Sequence, residues 1–116
     1  MTAFIADPVF LNGKFLPLSE ARVSPLDRAY LYGDGVYEIV PVYSRQAFRI
    51  DEHLNRLQKT LSGIKLASPL TVDEWKAVIF RLIESAPWED QSIYLQVSRG
   101  ADNKRDHAFP PASVPP

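Results

Sequence analysis

The sequence contains no cysteine in its 116 residues. That absence excludes a disulfide scaffold, cysteine-ligated zinc, iron–sulfur chemistry and a thiol nucleophile. It also lacks an excess of either charge, with 13 Lys and Arg against 14 Asp and Glu and a formal net charge of −1. The balance holds along the chain. Residues 1–60 carry seven charges of each sign, and residues 61–116 carry six basic and seven acidic ones. No basic face points to nucleic acid, and no apolar run is long enough to cross a bilayer. The start, Met1-Thr2-Ala3-Phe4-Ile5-Ala6-Asp7, has no basic segment leading into an apolar core, as a secretory leader would. The expectation is a cytoplasmic protein with neither nucleic acid nor membrane as a partner. Histidine is scarce as well: His53 and His107 lie far apart with no metal-ligand spacing. A Gly-x-Ser-x-Gly elbow is also missing, so nothing marks a hydrolase nucleophile.

What is present is an ordinary globular balance, 46% apolar and 23% charged, in a length that suits one domain. Proline is the surplus residue. Of ten prolines, four (Pro110, Pro111, Pro115 and Pro116) fall in the last seven positions. Pro-Pro-Ala-Ser-Val-Pro-Pro lacks most of the donors a sheet needs and favours polyproline II geometry, either as a linker between domains or as a Pro-rich tail. The expected organisation is a domain over 1–109, with 110–116 as the start of an interdomain linker.

Val9-Phe10-Leu11, Asn12-Gly13 and Lys14-Phe15-Leu16 read as a hairpin, with Asn-Gly supplying the two positive-φ positions of a type I′ turn. Turn signals at Ser24-Pro25 and Gly33-Asp34-Gly35 flank a short helical turn within Leu26–Tyr32. Val36–Val40 reads as a strand that resumes at Val42-Tyr43, turns at Ser44-Arg45-Gln46 and returns through Ala47–Ile50. Pro41 conflicts with that strand unless its missing N–H faces solvent, a bulge or a sheet edge. Asp51 is a good N-cap for a helix to about Lys65, with Leu54, Leu57, Leu61 and Ile64 on one face. Thr71-Val72-Asp73-Glu74 is a capping box opening a second helix, whose core face is Val72, Trp75, Val78, Ile79, Leu82 and Ile83 and whose end is marked by Pro87. Ser92–Ser98 alternates as a half-buried strand. The order predicts an α+β fold, two helices packed on an antiparallel-rich sheet.

Three places could carry chemistry. His53 and Arg56 lie one turn apart near a helix start, where a cation works against the dipole unless an anion such as phosphate compensates it. A plainer account pairs Arg56 with Glu52 or Asp51. Gly33-Asp34-Gly35 lacks the spacing of a nucleotide loop and reads as a tight turn. Beyond it, Tyr37 and Glu38 point to opposite faces of their strand, so one of them is half-buried and can line a cavity. Arg105 and His107, two apart on a loop, form a compact donor pair suited to a carboxylate, unless the loop is simply solvated.

In order, Asn12–Phe15, Asp27-Arg28-Ala29-Tyr30-Leu31-Tyr32-Gly33-Asp34-Gly35-Val36-Tyr37-Glu38, Phe48-Arg49, His53-Leu54-Asn55-Arg56-Leu57 and Gln96–Gly100 through His107–Pro110 closely resemble the N-terminal domain of class IV (fold type IV) PLP-dependent aminotransferases. That family includes D-amino-acid transaminase, branched-chain aminotransferase and aminodeoxychorismate lyase. The resemblance implies the small N-terminal α+β domain of a cytoplasmic homodimer that uses pyridoxal 5′-phosphate and exchanges an amino group between an amino acid and a 2-oxo acid. It implies that Arg56 binds the cofactor phosphate, that Tyr37 faces the substrate, and that Arg105 and His107 hold the substrate carboxylate, reaching into the neighbouring subunit's site. The Arg-x-His pair favours a D-amino-acid transaminase over a branched-chain enzyme or a lyase. Pro41 departs from the basic residue usual at its position. The family's Schiff-base lysine lies in a second, larger domain, and none of Lys14, Lys59, Lys65, Lys76 and Lys104 stands at the matching place, so these 116 residues are expected to have no transaminase activity on their own. A non-catalytic dimerisation or ligand-binding module is the alternative from another class.

Overall fold

A computed structural model describes residues 7–116, so the segment Met1–Ala6 read above for a leader lies outside the described residues. The first element is the expected hairpin, β1 (Pro8–Leu11) and β2 (Lys14–Pro17), paired antiparallel from Pro8↔Pro17 to Leu11↔Lys14. Its turn residues Asn12 and Gly13 have φ of 49° and 88°, as a type I′ turn requires. A 3₁₀ turn over Leu18–Glu20 leads on to the short helix α1 (Arg28–Tyr32). Asp27 caps α1 by accepting from the Ala29 N–H. Gly33 ends it at φ 66°, a left-handed closure that favours glycine. Gly33-Asp34-Gly35 is therefore a tight turn between helix and strand.

The main sheet has the order β4-β3-β5, antiparallel throughout, with β3 (Gly35–Tyr43) in the centre. β5 (Gln91–Ser98) pairs along almost the whole of β3, from Gly35↔Ser98 to Val42↔Gln91. β4 is only Gln46–Ala47, shorter than the expected return through Ile50. Phe48 N–H still reaches the Pro41 carbonyl at 2.8 Å, but Arg49 then turns the chain at φ 55° into α2 (Ile50–Gly63). Pro41 is tolerated because its N and C=O face the β4 side. Its pairing with Ser92 of β5 needs no donor there.

Two long helices cover one face of this sheet. Helix α2 starts one residue before the expected Asp51 cap. Arg49 occupies the N-cap without a side-chain bond, while Asp51 lies in the first turn, where it suits the dipole, and pairs with Lys76. The helix ends at Gly63 rather than Lys65, which is itself left-handed at φ 58°. Helix α3 (Val72–Ser85) opens with the complete Thr71–Glu74 capping box. Between helices and sheet lie Leu54, Leu57 and Leu61 from α2, Trp75, Ile79 and Ile83 from α3, and Val36, Val40, Val42, Ile93, Leu95 and Val97 from the sheet. Val72 and Leu82 pack half-buried against that core, whereas Val78, expected on the same face, is half-buried away from it. Arg45, in the β3–β4 turn, donates to the Ile83, Ala86 and Trp88 carbonyls at 2.8–3.0 Å and so ties the turn to the end of α3.

The last segment has no regular structure, but Pro115 and Val114 lie against Gly100, whose φ is 103°. Leu57 is fully buried, and Leu57→Ala is expected to lower unfolding free energy by about 2–5 kcal/mol in urea denaturation. A change below about 0.5 kcal/mol would contradict the placement of α2 on the sheet.

Candidate active site

Alternation along β3 divides its side chains between two environments. Val36, Glu38, Val40 and Val42 face the helices and are buried, whereas Tyr37, Ile39 and Tyr43 face outward and are exposed. On that outer face Tyr37 stacks on Tyr94 of β5, with ring centroids 5.7 Å apart. Tyr37 borders two shallow depressions. One is lined also by Ala29, Gly33, Gly35, Val36, Tyr94 and Gln96. The other is lined by Glu38, Ile39 and Arg56, where the short β4 leaves the edge of β3 uncovered among the described residues.

Glu38 is the buried half of this site, at 5% exposure. Its Oε2 accepts from Arg56 Nε and its Oε1 from Arg56 Nη2, both at 2.7 Å, while His53 Nδ1 lies 2.9 Å from Oε1. The Arg56 hydrogen bonds hold the Glu38 carboxyl below its ordinary value against the opposing effect of burial, and the His53 hydrogen bond adds to them. The same contact raises Arg56 above its ordinary value. His53 and Arg56 do meet, as their spacing suggests, but the acid between them is Glu38, not Glu52 or Asp51. Glu52 pairs instead with Arg49 at 3.1 Å, and Asp51 with Lys76. The reason is geometric: one turn into α2 these side chains look down onto β3, where an inward acid waits. Two of the three guanidinium nitrogens of Arg56 are engaged. Nη1 makes no bond among the described residues, on a side chain 66% exposed at the rim of the depression. One oriented, exposed face of a guanidinium is a fitting donor for a phosphate.

Arg105 and His107 come together on a third residue. Tyr32, the last residue of α1, has its ring 4.9 Å from the His107 ring and 5.2 Å from the Arg105 Cζ. Both donors are exposed. No hydrogen bond or ring contact among the described residues joins them to Tyr37 or to Arg56. Neither depression is lined by a lysine, and no cluster of three or more His, Asp or Glu that could hold a metal occurs among the described residues.

A second, half-buried acid lies beneath this loop. Asp34 accepts from Arg28 Nε at 2.8 Å and from Arg99 Nε at 2.9 Å, and both arginines are buried. Burial pushes its carboxyl upward, but the hydrogen bonds and charges of the two arginines outweigh this and hold it below its ordinary value. From sequence Asp34 reads only as part of a tight turn and Arg28 and Arg99 receive no role, because no spacing rule joins Arg28 to an acid six residues on or Arg99 to one 65 residues back.

The model of the family "Amino-transferase class IV" matches residues 35–115. D-alanine aminotransferase of Staphylococcus aureus strain N315 is 37% identical over 110 residues, which is 95% of this chain and 39% of that protein. The enzyme of the same name from Staphylococcus haemolyticus is 38% identical over 108 residues, covering 93% of this chain and 38% of that one. Among solved structures, the Escherichia coli branched-chain amino acid aminotransferase superimposes with a TM-score of 0.84 at 22% identity, over 95% of this chain and 37% of that one. The branched-chain amino acid aminotransferase of T.th., complexed with N-(5′-phosphopyridoxyl)-L-glutamate, gives 0.77 at 25% identity, over 84% of this chain and 34% of that one. The chain belongs to the class IV amino-transferase family and has its fold. It spans about two fifths of the length of the curated relatives it matches.

The two depressed carboxyls set an acid limit on stability. Below the ordinary values of 3.8 for Asp34 and 4.5 for Glu38, the unfolded chain binds more protons than the folded one, so stability holds above those values and falls as pH drops through the lower folded ones. In urea denaturation Asp34→Asn is expected to be less stable than the parent at neutral pH, yet to lose less between about pH 4 and pH 2. Equal losses over that window would contradict the Arg28–Asp34–Arg99 assignment.

Proposed function

We propose that residues 1–109 form the smaller domain of a pyridoxal phosphate-dependent aminotransferase that moves an amino group between a D-amino acid and a 2-oxo acid, with 110–116 leading as a linker toward a larger domain. We place such an enzyme in the cytoplasm as a homodimer. Among the described residues no helix is long and apolar enough to cross a membrane. The observation that carries the reading is the gathering of Arg105 and His107 on Tyr32, a donor pair suited to a carboxylate, in a chain 37% identical to a D-alanine aminotransferase. The names of the relatives weigh against a non-catalytic module.

Each residue has a physical task in this scheme. Arg56, oriented by Glu38, offers its outward face to the phosphate of the cofactor. Its charge is already half committed to Glu38, so what it offers is direction as much as attraction. His53 occupies the remaining side of Glu38 and keeps that acid from turning away. Tyr37, steadied by the Tyr94 ring, presents its hydroxyl on the outer face, at the border of the depression that Arg56 shares. Arg105 grips the substrate carboxylate through its planar fork, and His107 donates beside it. Pyridoxal phosphate, when bound, would supply an aldehyde that accepts the amino group and an electron-withdrawing ring that takes up negative charge developing at the substrate Cα. The lysine and the carboxylate that hold and tune that ring belong, in this reading, to the part of the enzyme outside the matched region.

A branched-chain aminotransferase is the second reading, favoured by the 25% identity to the T.th. enzyme. Racemic alanine, offered to the complete protein with a 2-oxo acid acceptor, is expected to be consumed in its D form. Turnover of L-leucine or L-valine alone would move the assignment to the branched-chain reading. In the same protein Arg56→Ala is expected to weaken retention of pyridoxal phosphate roughly 10- to 100-fold, read as an apparent Kd by dialysis. Unchanged retention would remove Arg56 from the phosphate site.

A further inference from the structure

A dense polar construction lies outside both depressions, under the loop that carries Arg105 and His107. Residues 105–109 are exposed and belong to no helix or strand, so no regular ladder holds them. What holds them is Arg28. Its Nε is occupied by Asp34, its Nη1 donates to the carbonyls of Asp106 at 2.6 Å and Ala108 at 3.1 Å, and its Nη2 donates to the carbonyl of His107 at 3.3 Å. Three successive carbonyls turned onto one guanidinium fix the course of the backbone on either side of His107. The Arg28 Cζ also lies 4.9 Å from the Tyr32 ring centre, so the ring that meets Arg105 and His107 is itself steadied by the same arginine. The far end of the loop is pinned by Arg99, whose Cζ stands 3.9 Å over the Phe109 ring and whose Nε shares Asp34.

We propose that Arg28 and Tyr32 are positioning residues for the carboxylate-binding pair: Arg28 sets the loop backbone, Tyr32 sets the two side chains, and neither touches the substrate. The proposal rests on the reading of Arg105 and His107 given above. Only arginine has enough planar donors to serve an acid and three carbonyls together. A loop held this way surrenders its freedom on folding, so capture of a carboxylate does not carry the cost of ordering it. The Tyr32 hydroxyl is buried with no hydrogen-bond partner among the described residues, so the role belongs to the ring and the hydroxyl adds nothing to it.

The test uses the complete, cofactor-loaded enzyme with pyruvate as amino acceptor. Arg28→Lys keeps the charge beside Asp34 but loses the fan of donors, and Tyr32→Leu removes the ring. Each is expected to raise the KM for pyruvate about 10-fold or more while kcat stays within about threefold, with Tyr32→Phe restoring the parent value. Pyridoxal phosphate retention should match the parent in all three. As a readout independent of turnover, trypsin should cut faster after Lys104 and Arg105 in Arg28→Lys and Tyr32→Leu than in the parent. Arg105→Gln separates the two levels of the argument. If it leaves the KM for pyruvate unchanged, the carboxylate reading fails and takes this proposal with it. If it raises KM while Arg28→Lys and Tyr32→Leu do not, the positioning role alone is overturned. A Tyr32→Phe enzyme as impaired as Tyr32→Leu would overturn the assignment to the ring.

Discussion

One carboxylate, that of Asp34, lets two arginines leave water at once. An uncompensated buried guanidinium costs on the order of 3–5 kcal/mol, and here a single acid neutralises Arg28 and Arg99 from the turn between α1 and β3. The nitrogens it leaves over are given to main-chain carbonyls: 106–108 by Arg28, and Ile64 and Lys65 at the end of α2 by Arg99. Backbone bonds reinforce the same knot, with Arg28 N–H donating to the Gly100 carbonyl and Arg99 N–H to the Asp34 carbonyl. The first helix, the Gly35–Ser98 end of the β3–β5 pairing, the exit of α2 and the irregular loop are thereby referred to one point. Remove it, and these segments lose their common origin.

The second acid, Glu38, does a smaller version of the same thing. It sits on the helix face of β3 among valines, an unfavourable place for a charge, and α2 brings Arg56 and His53 to it from above. The guanidinium is thus anchored at one side and open at the other. Burial makes the acid choose its partners, and the choice aims the arginine.

Much of the fold can be read directly from the sequence because it is locally encoded. Asn12-Gly13 demands a hairpin, Thr71 and Glu74 cap each other, and the alternation through Ser92–Ser98 admits only a strand with one wet face. The helix faces of α2 and α3 follow from spacing alone. Legibility fails where a partner lies far along the chain. Arg56 has two acids within five residues and bonds to neither, choosing one eighteen positions back. Arg28 finds its carbonyls 78 to 80 residues away. The shortness of β4 is hidden because the residues after Ala47 suit a strand, and only the left-handed turn at Arg49 diverts them into α2. Of the candidate site, Arg56, Tyr37, Arg105 and His107 are legible as residues. The groups that orient them are not, apart from the bare alternation of Glu38 against Tyr37.

That alternation bears on which changes in chain length such a domain can survive. Tyr37 and Glu38 are adjacent, so the outward ring and the inward acid are separated by the pleat of one strand and by nothing else. Deleting or inserting a single residue between Glu38 and Val40 would put them out of phase with the inward Val40 and Val42, turning a phenol toward the valine core and a carboxylate to the surface away from Arg56. Substitutions along β3 can be graded by size and polarity, whereas length changes there admit no half measures. Added residues are better borne in the 102–104 segment, which pairs with no strand.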